Sequence, residues 1–249
     1  MSQQIGVQSG MTCQLHALCF DAKEPLRLAR FWAGLLGWEV KDSGQAGDAL
    51  LPSDDTGFGF RFLQVQEQHL GRDPMHFHLT SSSLEDQQQT VARALELGAR
   101  HFDAGQRPDE GHVVLADPEG YEFCVIEPGN RWLAGCGFFA EVTCDGSVEV
   151  GYFWSAALGW PLVLDEGLQT SIRSPRGGQK ISWDDWVLPR TGKSRLHFDL
   201  VPSAGDNQQA EADRLISLGA TRIDAASGEA DRVVMADPDG NEFCLLSPR

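Results

Sequence analysis

The sequence predicts an α+β fold of four strand–helix–strand–strand–strand modules, arranged as two tandem halves. Three observations carry this reading. Four motifs occur twice in the same order, helical stripes alternate with short strand runs, and each half closes on a strand–turn–strand signature. FWAGLLGW at 31–38 returns as FWSAALGW at 153–160, and MHFHL at 75–79 returns as LHFDL at 196–200. LGARHFDA at 97–104 returns as LGATRIDA at 218–225, and VVLADPEGYEFC at 113–124 as VVMADPDGNEFC at 233–244. The offsets are 122, 121, 121 and 120 residues, so order and spacing are both kept. The halves then span 15–129 and 137–248, with a flexible N-terminal segment at 1–14 and a linker at 130–136 after Pro128 and Gly129.

The elements follow from local chemistry. CQLHALCF at 13–20 reads as a strand, and Pro25 opens a helix whose first-turn N–H groups need no partner within it. Leu28, Phe31, Trp32 and Leu35 form the stripe of that helix, and Gly37 closes it. Weaker strand signals end with FRFLQV at 60–65. The cycle restarts with HFHLTS as a strand and Ser83 as the cap of a helix that buries Val91, Ala94, Leu95 and Gly98. HVVLAD and EFCVIE make a hairpin across Asp117, Pro118, Glu119 and Gly120, the residue order of a type I turn. The second half repeats this plan with Val150, Phe153, Trp154 and Ala157, then Ala212, Leu215, Ile216 and Gly219.

Composition excludes several classes. The 249 residues suit one or two domains, and 41% apolar with 22% charged residues suits a packed core. A net charge of −16 repels phosphates at long range, which argues against nucleic acid and anionic membranes as partners. No apolar run reaches the ~18 residues of a membrane span. The polar start of the chain reads as no signal peptide, so a cytoplasmic location is the expectation, with the chain a monomer or homodimer. Six cysteines without a CxxC pair read mostly as buried thiols.

These modules, with their FWxxxxGW helices and DPxGxEFC hairpins, resemble the vicinal oxygen chelate superfamily. Its members include glyoxalase I, extradiol dioxygenases, fosfomycin-resistance enzymes and bleomycin-binding proteins. The resemblance covers nearly all of the chain beyond residue 14. It implies two tandem glyoxalase-like domains in which paired modules curl a mixed sheet into a cup, with metal ligands on the first and last strands of the modules. The fold hosts many chemistries, so the reaction must be argued from the site.

Strand alternation tests each position. Phe77 and Leu79 belong to the helix side, so His76 and His78 face the cup; likewise His197 and Asp199 alternate with Leu196, Phe198 and Leu200. Glu122 with Cys124, and Glu242 with Cys244, face the cup opposite Phe123 and Phe243. On the first strands, His16 alternates with Leu15, Ala17 and Cys19, and Glu141 aligns with His16 because Ala140, Val142 and Cys144 repeat that small packing face. Gln64 and Asp185 are the fourth-strand candidates.

The implied metal set is therefore His16, Gln64, His76, His197, Glu141, Asp185, Cys124 and Cys244, with Glu141 also a candidate general base. His78, Asp199, Glu122, Glu242 and Trp183 are expected to line a substrate pocket. Cysteine stands in both halves where glyoxalase I-like enzymes carry a glutamate ligand, which suits zinc better than manganese. Pairing stays open. If each half closes its own cup, His16, Gln64, His76 and Cys124 meet; if modules exchange, His16 meets His197 and Cys244, while Glu141 meets Asp185, His76 and Cys124. Divergence between the copies points to full chemistry in one cup at most.

Arg173, Arg176, Lys180, Arg190, Lys193 and Arg195 form a local basic stretch, read as an anion site or as a solvated hairpin. A nucleophile pair of Cys124 and His76 is also conceivable. Two function classes follow for a small-molecule ligand. One is a lyase or dioxygenase dependent on Zn, Ni, Fe or Mn and acting on a small oxygenated substrate. The other is a metal-free binder of an antibiotic or secondary metabolite, of the bleomycin-resistance type.

Overall fold

The computed structural model describes the chain except for residues 1–11, 43–47, 53–56, 67–72, 108, 185–193, 204, 206, 224–231 and 249. The first module comprises β1 (Gln14–Ala22), α1 (Pro25–Leu36), β2 (Glu39–Asp42), β3 (Asp48–Leu51) and β4 (Gly59–Gln64). The second comprises β5 (Met75–Leu79), α2 (Leu84–Leu97), β6 (Arg100–His101), β7 (Val113–Ala116) and β8 (Glu122–Val125). The third has β9 (Phe139–Cys144), α3 (Val148–Leu158), β10 (Leu162–Glu166), β11 (Gln169–Arg173) and β12 (Lys180–Trp183). The fourth has β13 (Leu196–Val201), α4 (Gln208–Ser217), β14 (Thr221–Arg222), β15 (Arg232–Ala236) and β16 (Glu242–Leu246). All four are the expected βαβββ unit.

Sheet topology decides the pairing. One eight-stranded mixed sheet runs β14-β15-β16-β13-β1-β4-β3-β2 and the other β10-β11-β12-β9-β5-β8-β7-β6. Each sheet takes one module from each half. The joins are antiparallel, β1 on β13 and β5 on β9. The first cup therefore unites modules one and four, and the second cup modules two and three.

Each join carries one inserted residue. Leu15 faces Leu200 and Ala17 faces Asp199, so His16 is the extra residue of a bulge. Phe139 faces Leu79 and Glu141 faces His78, so Ala140 is its counterpart. Glu141 is thus equivalent to Ala17, one position away from the alignment with His16 that the sequence suggested. The bulge also shifts the packing phase. Leu18 and Phe20, with Val142 and Cys144, point into the core, and Cys19 lies on the opposite face from Phe20.

A single apolar cluster spans both sheets and all four helices. Phe60 of one sheet lies 5.1 Å from Phe139 of the other, and Phe20 lies 5.5 Å from Phe77. The α1 stripe of Leu28, Phe31, Trp32 and Leu35 is buried as predicted, and Gly37 closes the helix at φ 71°. Ser83 caps α2 by accepting from the Asp86 N–H. Leu95 and Ile216, expected inside, are 37% and 43% exposed. Polar side chains turn inward instead: Gln87 donates to the carbonyls of Gly111 and Val125, and Glu211 is buried against Arg214.

The repeated motifs owe their residues to a buried hydrogen bond. Trp32 donates its indole N–H to Asp117 at 3.0 Å, and Trp154 donates to Asp237 at 3.2 Å. Each aspartate also accepts backbone N–H groups within its own turn, Asp117 from Glu119 and Tyr121, Asp237 from Asp239 and Asn241. The turn hydrogen bond from Gly120 N to Asp117 O, 3.0 Å, completes the expected type I geometry. A helix flanking one sheet is thereby tied to a hairpin of the other.

Each segment expected to be loose carries a buried residue among those described. Cys13 is buried and donates to the carbonyl of Ala157, and within the linker Leu133 is buried. No helix among the described residues is long and apolar enough to cross a membrane.

Helix α3 approaches β11 so closely that a Cβ at Gly151 would sit 1.9 Å from the Thr170 Oγ1, a fully buried side chain. Gly151→Ala is expected to lower stability by about 1–3 kcal/mol through overpacking. A thermal melt within experimental error of the native one would refute that close fit.

Candidate functional site

Alternation places the site residues where their strands require. In the second cup, Phe77 and Leu79 of β5 enter the core, leaving His76 and His78 on the cup face with Cys124 of β8 beside His78. The donor atoms of His76, His78 and Cys124 all lie within 4.8 Å of one another. The two imidazole rings are 5.0 Å apart.

Behind this cluster stands Glu141 on β9, 2% exposed. The His78 Nδ1–H donates to its Oε2 at 2.8 Å, and the Trp132 indole N–H donates to its Oε1 at 2.8 Å. The Ser182 hydroxyl donates to the same Oε1, with Ser171 Oγ a further 2.9 Å beyond. Burial alone would raise the Glu141 carboxyl, but His78 and these donors outweigh it and hold the carboxyl below its ordinary value. Burial likewise opposes charge on His78, yet hydrogen bonds with Cys124 and Glu141 lift its imidazole to about 9. Glu141 fixes the ring through Nδ1.

The linker supplies part of the wall. Trp132, Leu133 and Cys136 pack with Cys124, Ile126 and Ala140 in a small apolar cluster. The Lys180 ammonium donates to the Trp132 carbonyl and sits 3.4 Å from the centroid of its ring. A cleft of about 260 Å³ opens on the other side, lined by His76, Gln106, Glu110, His112, Glu122 and Cys124 among others. Its rim is polar, and there Glu110 meets Arg107 at 3.2 Å and His112 at 3.8 Å.

The first cup is built from equivalent positions and differs in charge. His197, Asp199 and Cys244 take the places of His76, His78 and Cys124, and all three are buried. Cys19, His197 and Asp199 also bring donor atoms within 4.8 Å of one another. Here Asp199 faces Arg61, with Nη1 to Oδ2 at 2.5 Å, and His197 Nε2 lies 3.6 Å from Asp199 Oδ1. Burial, then the Asp199 charge, push the Cys19 thiol well up, so it stays protonated.

Several predicted site residues lie elsewhere. Gln64 shares the phase of Phe60 and Phe62, at the exposed end of β4, and donates to the Lys23 carbonyl at 2.6 Å. Trp183 is in the core, because Ile181 and Trp183 fill the inward phase of β12 and leave Lys180 and Ser182 to the cup. Glu242 borders a small interior void beside Trp183 and Asp237, while Glu122 lines the open cleft. His16 sits half-buried at the bulge, and Asp185 lies outside the described residues.

Of the basic stretch, Arg173, Lys180 and Arg195 are engaged internally, and Arg176 is exposed. Arg173 donates to the carbonyls of Gly135 and Gly178, and Arg195 pairs with Asp73 while stacking 4.3 Å from the Tyr121 ring centroid. Arg190 and Lys193 lie outside the described residues. Sequence reading missed Arg61, Ser182 and Trp132 and gave Lys180 only within the basic stretch; alternation against Phe60, Phe62, Ile181 and Trp183 was the signal that Arg61, Lys180 and Ser182 face the cups.

Paired βαβββ modules with histidine and cysteine on the cup face define a glyoxalase-type protein. The chain belongs to the glyoxalase-like domain family, whose model matches it twice, at residues 17–126 and 140–246, and so to the vicinal oxygen chelate superfamily. Its structure is similar to that of glyoxalase I from Zea mays, with 12% identity, a TM-score of 0.61, and coverage of 95% of this chain and 93% of that one. An inferred dioxygenase from Bacillus subtilis is similar at 14% identity and a TM-score of 0.58, covering 96% of this chain and 86% of that one. At these identities the likeness is one of fold. No curated protein sequence matches the chain.

A raised His78 pKa has a definite sign for stability. Its contribution is complete below the unfolded value near 6.5 and is lost as pH rises through about 9. Denaturant titrations in chelator should show a decline of no more than about 3 kcal/mol across that window, absent in His78→Asn. A decline of equal size in the variant would refute the assignment to His78.

Proposed function

We propose that the second cup is a divalent-metal centre of the zinc type, held by His76, His78 and Cys124, and that it serves lyase- or isomerase-type chemistry on a small oxygenated substrate. The carrying observation is the clustering of these three donors, two of which, His76 and Cys124, line the cleft, with Glu141 behind His78. Two imidazoles and a thiolate make a borderline-soft set that fits zinc, nickel or cobalt and suits manganese or magnesium poorly. A thiolate beside iron and dioxygen would be oxidised readily, so the donor set favours non-redox chemistry over dioxygenation. What the bound ion supplies is Lewis acidity toward a substrate oxygen.

The protein's own residues do the rest. Glu141, rather than acting as a base, accepts the His78 Nδ1–H and fixes the tautomer that presents Nε2, the usual role of a carboxylate behind a metal-binding histidine. Trp132 and Ser182 hold that carboxylate in turn. Glu122, on the cup face two residues from Cys124, is the cleft carboxylate placed to take a proton from a bound substrate. Gln106 and His112 offer hydrogen bonds to its oxygens. The Trp132 wall and the Val114 side chain exclude water on the apolar side.

Protein isolated without tag or chelator should carry about one zinc-class ion per chain by elemental mass spectrometry, lost in His76→Ala and Cys124→Ser. Glu141→Gln should retain the site with an affinity lower by roughly 10–100-fold. A native chain that takes up no zinc, nickel or cobalt would overturn the metal reading and leave the metal-free ligand-binding cup, testable by ligand quenching of Trp132 fluorescence.

A further inference from the structure

The first cup holds a constellation that looks like a metal site and yet contains a fixed positive charge. Cys19, His197 and Asp199 are all buried, and their donor atoms cluster within 4.8 Å. The types are again those of a zinc site. But Asp199, 1% exposed, is already engaged by the Arg61 guanidinium.

Strand register shows how the two cups diverged. Arg61 on β4 stands opposite Cys19 on β1, as Ser182 on β12 stands opposite Thr143 on β9. Arg61 and Ser182 are therefore equivalent, and so are Asp199 and His78. Each cup contains an internal ion pair, with opposite signs at the equivalent positions 78 and 199: the second sets His78 against Glu141, and the first sets Asp199 against Arg61.

We infer that Arg61 is the built-in cation of the first cup. Its guanidinium supplies the positive charge that a divalent ion would supply to Cys19, His197 and Asp199, and its removal uncovers a metal site made by those three residues. An arginine cannot shed its proton to make room. A divalent ion added beside it would leave surplus positive charge in a dry cup, where like charges repel far more strongly than in water. The family's metal does not fit the first cup as it stands, and the native chain binds metal there not at all.

The test uses full-length chain with the second cup silenced by His76→Ala and Cys124→Ser, so it does not depend on the reading of that cup, which is measured separately in the native background. Cobalt(II) is titrated by equilibrium dialysis, with thiolate-to-cobalt absorption as a second readout. The silenced chain should bind no cobalt. Adding Arg61→Ser should give about one ion per chain with the thiolate band, and a melting temperature that falls without cobalt and recovers with it. Arg61→Lys, which keeps the charge, should bind none, and Asp199→Asn should abolish what Arg61→Ser gains. If Arg61→Ser folds only in the presence of cobalt, the inference stands. Should it fold in neither condition, the neutral Arg61→Met chain takes its place under the same expectation. Cobalt bound by the silenced chain at His197, or a folded neutral variant that takes up none, overturns it.

Discussion

Everything at the cups depends on two antiparallel strand joins, β1 to β13 and β5 to β9. Each brings together modules from different halves, and without them His78 would not meet Glu141, nor Arg61 meet Asp199. Backbone hydrogen bonds contribute only about 1 kcal/mol each in net terms, but a ladder of them fixes register. Register here sets the chemistry, because a slip of one residue would turn every cup-facing side chain into the core. The bulges at His16 and Ala140 are the controlled exception. They bring Glu141 into line with His78 and put Ala17 in the matching place.

The two cups show how one frame takes two electrostatic settings. A buried charge is tolerable only when paired, and each cup meets that requirement within its own walls. In the second, the pair stands beside a cleft that His76 and the Cys124 thiol line. In the first, the pair closes on itself among residues that are nearly all buried. The duplicated modules thus differ in charge while keeping a common buried aromatic frame: Trp32, Phe77 and Phe123 are matched by Trp154, Phe198 and Phe243.

Much of this was legible in the sequence, for reasons that can be stated. The repeat, the helix stripes and the hairpin turns are local, and they translate directly into modules. The cup faces of β5, β8, β13 and β16 follow from unbroken alternation, since Phe77, Phe123, Phe198 and Phe243 leave no doubt about the inner phase. The first strands did not yield in the same way. A bulge is set by the partner strand, and the partner of β1 lies some 180 residues away, so aligning His16 with Glu141 was reasonable and off by one. Pairing of the modules was likewise undecidable, because either arrangement buries the same apolar faces. The role of Trp132 escaped notice because a short connection after Pro128 and Gly129 reads as a tether, whereas burial of Leu133 folds it onto the cup.

The exchanged pairing also sets an order of assembly during synthesis. One sheet is made from contiguous chain, β5 to β12, and is complete once residue 183 has left the ribosome. The other brackets it: β1 emerges first and must wait for β13, whose last residue is Val201, before its open edge is covered. Until then Phe20 of β1 can pack against Trp32, Phe60 and Phe62 of its own module and against Phe77 and Tyr121 of the inner half. The inner unit, which carries the open cleft, is therefore the first that can close, and the β13-facing edge of β1 stays open for pairing with another chain until β13 is made.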